Sequence, residues 1–167
     1  MSRYPELIEK LTASRDAYLA ALAGVTEEQA AVKPSDGGWS ILECAEHVAI
    51  AERNLLHRLV STSTPLTAGP QRNLEAIILA RGADRTRKFD APQPARPTGR
   101  FATLDEARAA FQKERAQAIA WLEACAVDLR LRSVEHPAFG PVTGYEMVLF
   151  AAMHPVRHAL QIRELRV

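Results

Sequence analysis

The chain is poor in aromatic residues, which make up 6% of its 167 positions, and it has almost no excess charge. Its 21 basic and 20 acidic residues leave a formal net charge of +1. That balance removes the electrostatic footing for a nucleic-acid or anionic-membrane partner. No apolar run reaches the roughly 20 residues that cross a bilayer. The opening "MSRYPELIEKL" lacks an apolar signal core. There are only two cysteines, Cys44 and Cys125, and both fall in apolar helical patterns. Two such thiols make no disulfide framework and fit a reducing compartment. Together these shortages predict a cytoplasmic protein with no nucleic acid and no membrane as partner. No Ser-His-Asp order, phosphate loop or CxxC stands in the chain, which sets aside the familiar catalytic apparatus built on them.

Glycines cluster between segments and β-branched runs are rare, while alanine is abundant. This composition predicts an all-α fold. Helix starts are marked by a hydroxyl followed three residues later by an acid or amide: Thr26/Gln29, Ser40/Glu43, Thr103/Glu106 and Thr143/Glu146. In such a capping box each side chain satisfies an orphan backbone N–H of the other. Helical periodicity predicts long helices over about 3–23, 41–60, 104–127 and 145–166. A long crossover, about 61–102, joins the second to the third. Within it "RNLEAIILARGA" reads as a short helix, whereas the prolines of "FDAPQPARPTGRF" exclude a regular one. "HPAFGPVTG" reads as a loop holding His136. Residues 1–167 then form a single domain, a four-helix bundle with one long crossover.

The fourth helix carries His154 and His158. Their i, i+4 spacing separates them by about 40° on the helix, on the inward arc with Phe150, Ala151 and Gln161. The opposite face, Leu149, Ala152, Val156 and Leu160, is also apolar, so another helix or a second subunit should cover it. On the second helix His47 stands at the edge of the buried stripe, while His57 points away from it. One histidine and an i, i+4 pair could hold one divalent ion and leave a tetrahedral position open. An HxxxH pair by itself is more often the mark of two hydrogen-bonded core histidines. The shared facing of His47, His154 and His158 favours ligation. Asn54 and Gln161 could orient imidazole N–H groups, and Arg157 could bind an anionic substrate. Glu43 is taken up by its capping box, Cys44 faces the core, and Trp39 could staple the helix entry. Pro155, between the two histidines, removes a helical donor and frees the carbonyl of Ala151. A bent but continuous helix is expected, with water or polar groups on that carbonyl.

"GGWSILECAEHVAIAERNLLHRL" and "HPAFGPVTGYEMVLFAAMHPVRHALQIREL" resemble two segments of the DinB/YfiT-like superfamily. They match its tryptophan-to-histidine opening of the second helix and its C-terminal histidine-rich signature. "APQPARPTGRF" is similar to the linker before its third long helix. The resemblance implies a four-helix bundle, often a homodimer, with His47, His154 and His158 as ligands of a divalent metal, zinc or nickel. Gln161 matches the family's glutamine. It further implies a metal-dependent enzyme, a thiol S-transferase or a hydrolase. Such an enzyme would activate a low-molecular-weight thiol or water against a small-molecule electrophile. The alternative is a non-catalytic dimeric metal-binding bundle.

Overall fold

A computed structural model describes residues 2–67 and 72–166. Helix starts follow the local chemistry closely. In chain order the helices are α1 (Pro5–Leu22), α2 (Glu27–Ala31), α3 (Ile41–Thr62), α4 (Glu75–Arg81), α5 (Leu104–Ala124) and α6 (Gly144–Leu165). Thr26, Ser40 and Thr143 each close a reciprocal capping box. Thr103 does so only by half. Its hydroxyl accepts from the Glu106 N–H at 3.1 Å, but the Glu106 carboxylate turns to the N–H of Ala102. The N-terminus of α5 gains a second acceptor from outside, since the Glu27 carboxylate of α2 takes the N–H of Leu104 at 2.8 Å.

The four long helices form the bundle. Helix α6 lies against α1 and α3, and α5 lies against the same two. Two core clusters fill the interior. Tyr18, Cys44, Val48, Phe111 and Ile162 centre one, and Leu7, Leu55, Leu122, Met147 and Leu149 centre the other. The crossover supplies α4, which packs on α6 and buries Ile78 in the same cluster as Leu149 and Ala152. Part of the outer apolar face of α6 is therefore covered from within the chain, while Leu160 stays exposed.

Two expectations need correction. The third long helix stops at Ala124, short of Val127. The segment before α6 is not a loop: β2 (Arg132–His136) and β3 (Gly140–Thr143) pair antiparallel, and β1 (Thr64–Pro65) adds to the other edge of β2. Val134 and Val142 face each other inward from this small sheet. Gly140, with φ of +71°, takes the left-handed conformation that closes the hairpin. His136 thus ends a strand rather than lying in a loop.

Helix α6 runs unbroken through Pro155. The carbonyl that the proline leaves without its helical donor, Ala151, accepts from the guanidinium of Arg115 at 2.9 Å. Arg115 is fully buried. Its remaining N–H groups reach both Glu52 carboxylate oxygens at 2.6 and 2.9 Å, the Leu11 carbonyl and the Ser14 hydroxyl. One side chain on α5 therefore ties α1, α3 and α6, and all five guanidinium donors are satisfied.

Candidate metal centre

His47 lies on α3 two turns from its capped start, and His154 and His158 lie one turn apart on α6. Because α3 and α6 are neighbours in the bundle, the three rings meet. His47 Nε2 is 2.9 Å from His154 Nε2, and His158 Nε2 is 3.2 Å from the same atom. One ligand nitrogen from each ring lies within 4.8 Å of the other two.

Hydrogen bonds at the far side of two rings fix which nitrogen carries the proton. His47 Nδ1 is 2.7 Å from the Ala95 carbonyl, which can only accept. His158 Nδ1 is 2.9 Å from Gln161 Oε1. That oxygen is identified by a second donor, the Arg85 guanidinium at 3.2 Å, since an arginine cannot accept. Both Nδ1 atoms are therefore N–H donors, and both Nε2 atoms present lone pairs to His154. A single proton on His154 Nε2 cannot serve both contacts fully. A cation held between the three Nε2 atoms would answer all three lone pairs. Tetrahedral zinc, with Zn–N distances of about 2.0–2.1 Å, holds its nitrogen ligands about 3.3 Å apart. The 3.2 Å spacing is close to that value, and the 2.9 Å spacing lies a few tenths of an ångström inside it.

Burial disfavours protonation of all three rings, and the neutral ring is the form that a metal requires. His154 is pushed well below its ordinary value, first by desolvation and then by His158, His47, His136 and Arg157. His158 is likewise well below, by desolvation and then His47, against the raising effect of Gln161. His47 is lowered by desolvation, partly offset by its bond to Ala95.

A DinB superfamily profile matches residues 10–162. The chain belongs to the DinB superfamily. A curated relative, the uncharacterized protein YuaE of Bacillus subtilis (strain 168), is 25% identical over 148 residues, covering 87% of this chain and 88% of YuaE. Among solved structures, TT2238, a four-helix bundle protein, is similar with a TM-score of 0.61 and 22% identity, over 96% of this chain and 97% of that one. YfiT from Bacillus subtilis, called a probable metal-dependent hydrolase with an unusual four-helix bundle topology, matches with a TM-score of 0.61 and 18% identity. The YfiT match covers 99% of this chain and 87% of YfiT. At these identities the two structures show that the four-helix bundle fold is shared.

The other candidate residues fall differently within this DinB bundle. Gln161 touches His158 directly. Arg157 does not face an open site: its guanidinium donates to the carbonyls of Asp84 and Arg87, pinning the crossover to α6. Asn54 contacts none of the three rings and lines a surface cleft further along α3. Glu43 stays in its capping box and pairs with Lys33. Cys44 is fully buried, and burial pushes its thiol up to about 12, so it packs as a neutral side chain. Trp39 does more than staple the helix entry, since its ring centroid lies 4.9 Å from that of His47.

Sequence reasoning missed Glu46 and Arg85. The buried Glu46 carboxylate accepts the backbone N–H groups of Thr98, Gly99 and Arg100 and the Arg100 guanidinium. Burial raises its pKa, but these four donors outweigh burial and the net shift is downward. Glu46 thereby clamps the crossover beside His47, where the Ala95 carbonyl meets the ring. Nothing in the helical pattern marks it, because Glu46 lies about 100° or more round α3 from the buried stripe of Ile41, Ala45 and Val48. Arg85 had no signal either, because its role depends on where the crossover returns to α6.

Proposed function

We propose that the protein is a metal-dependent enzyme in which His47, His154 and His158 hold one divalent ion, zinc or nickel. The observation that carries this reading is the convergence of three Nε2 atoms with two tautomers fixed from behind. When bound, such an ion supplies Lewis acidity, lowering the pKa of a water or of a low-molecular-weight thiol for attack on a small electrophile. The chain's own residues do the positioning. The Ala95 carbonyl and Gln161 keep the His47 and His158 rings oriented. Trp39 and the clamped crossover segment shield the His47 side from water. Hydrolase and thiol transferase chemistry both suit this arrangement, and a homodimer in the cytoplasm remains part of the proposal. No helix among the described residues is long and apolar enough to cross a membrane.

Elemental analysis of protein purified without chelator should give one divalent ion per chain. Replacing His47, His154 or His158 by alanine should abolish tight binding, while His57→Ala should retain it. A protein that holds no ion and takes none up on titration would end this reading. Electrophile turnover screened with and without added thiol separates the two chemistries.

A further inference from the structure

The face of α3 that presents His47 continues toward the helix C-terminus. Asn54 and Arg58 lie within about 20° of the His47 direction, about 10 and 16 Å further along the axis. There a surface cleft of about 250 Å³ is lined by Asn54, His57, Arg58, Thr62 and Pro94. Pro94 directly precedes Ala95, whose carbonyl holds the His47 ring, so one edge of the cleft is a single residue away from a contact of that ring. No acid lines it. Among the described residues, the Arg58 guanidinium, the Asn54 amide and the His57 ring form no side-chain hydrogen bond or ion pair.

Strand β2, which ends at His136, packs against α3. The His136 ring lies 4.3 Å from that of Phe150, and Phe150 stacks on Phe139 at 4.7 Å. Phe150 stands one turn before His154 on α6. Phe139 is 40% exposed. Phe150 and Phe139 thus lie beyond His154 on α6 and the hairpin, while Arg58 on α3 is a half-buried cation with unused donors among the described residues. A guanidinium in that position pairs best with a carboxylate, through two parallel hydrogen bonds.

We propose that this cleft binds the carboxylate end of an elongated small molecule whose reactive end lies at the three histidines. Arg58 supplies the charge, Asn54 and His57 add hydrogen bonds, and Phe150 and Phe139 receive the apolar body. The placement of the reactive end rests on the metal reading above. The carboxylate could belong to a thiol cofactor or to the electrophile, since both would need the same recognition.

ω-Mercaptoalkanoates of increasing length, compared with their neutral amides, serve as rulers on the zinc-loaded protein. Binding is read by titration calorimetry, with zinc content measured in every sample. The acid should outbind its amide only once the chain spans the roughly 10–16 Å from His47 to Asn54 and Arg58. Arg58→Gln should weaken the long acid about tenfold and leave the amide unchanged. Arg53→Gln, on the same helix but off this face and exposed, should change neither. Equal losses for acid and amide, no loss for either, or an acid preference independent of length would overturn the proposal. Octanoate against octanamide on chelator-treated protein tests the cleft apart from the metal. An Arg58-dependent preference there upholds the carboxylate site even if no zinc binds, and its absence overturns it. Turnover with the carboxylate placed first on the thiol and then on the electrophile shows which partner uses the cleft.

Discussion

Arg115 shows how much one buried side chain can carry. Its charge is neutralised by Glu52, itself buried, and its other donors close backbone groups of α1 and α6. Arg115→Met would strand the Glu52 carboxylate and reopen the Ala151 carbonyl beneath Pro155. Urea denaturation should show a loss of about 3–5 kcal/mol, with much of it recovered when Glu52 is also made apolar. Tyr18 is the opposite case. Its hydroxyl is buried and, among the described residues, is the one buried side-chain polar atom without a partner. Its ring packs on Phe111 at 4.7 Å in an edge arrangement. Tyr18→Phe removes the orphan group and keeps the ring, so the same denaturation should show no loss, or a gain of up to about 1 kcal/mol. His136 gives a pH signature. Burial, with the Arg58 charge, holds it down at about 4 against an ordinary 6.5. Between those values the unfolded chain binds more protons than the folded one. The neutral ring's contribution is therefore present above pH 6.5 and is lost as pH falls toward 4, on the order of 2 kcal/mol for a partly exposed ring. In chelated protein, His136→Asn should flatten the stability profile across that window relative to the parent.

At the scale of elements, the crossover matters more than its irregular backbone implies. Glu46 holds it to α3, Arg157 and Arg85 hold it to α6, and the Glu146 carboxylate caps α4 through the Leu74 N–H at 2.6 Å. Arg85 reaches the three histidines through Gln161, and Glu46 reaches them through the crossover segment that carries Ala95. Glu46→Gln keeps the volume but loses the charge that gathers four donors. Backbone amides at Thr98, Gly99 and Arg100 should then exchange faster, and metal affinity should fall about tenfold as Ala95 loosens behind His47. Arg85→Leu frees the Gln161 amide to turn its NH2 toward His158, which would favour the wrong tautomer. A 10- to 100-fold loss of metal affinity, read by competition with a chromogenic chelator, is expected. Both variants retain the three ligands, so an unchanged affinity would show that these outer contacts do not tune the site. The capped helix starts were legible here because caps act within one turn. The hairpin over 132–143 was not, because each strand is too short for its alternation to stand out. Its pairing with Thr64 and Pro65 is also remote in sequence.

For the whole molecule, the proposed ion bridges α3 and α6, two neighbouring helices separated along the chain by the crossover, α5 and the hairpin. Anything that binds the folded state alone stabilises it by mass action. With free metal at about 100 times the Kd the gain is about 2.7 kcal/mol. For a domain of this size that corresponds to a fall in Tm of about 5–10 °C on chelation. The His154→Ala variant should show no such difference. The sequence by itself determined the all-α class, the starts of the long helices and the inward arc shared by His154 and His158. Those properties follow from 3.6-residue periodicity and capping, which are local. Tertiary structure alone decided that His47 Nε2 meets that pair, that Ala95 and Gln161 set the tautomers, and that Arg115 answers the carbonyl freed by Pro155. Each of these joins residues far apart in the chain, and only the packing of the helices and the return of the crossover bring them within hydrogen-bond reach.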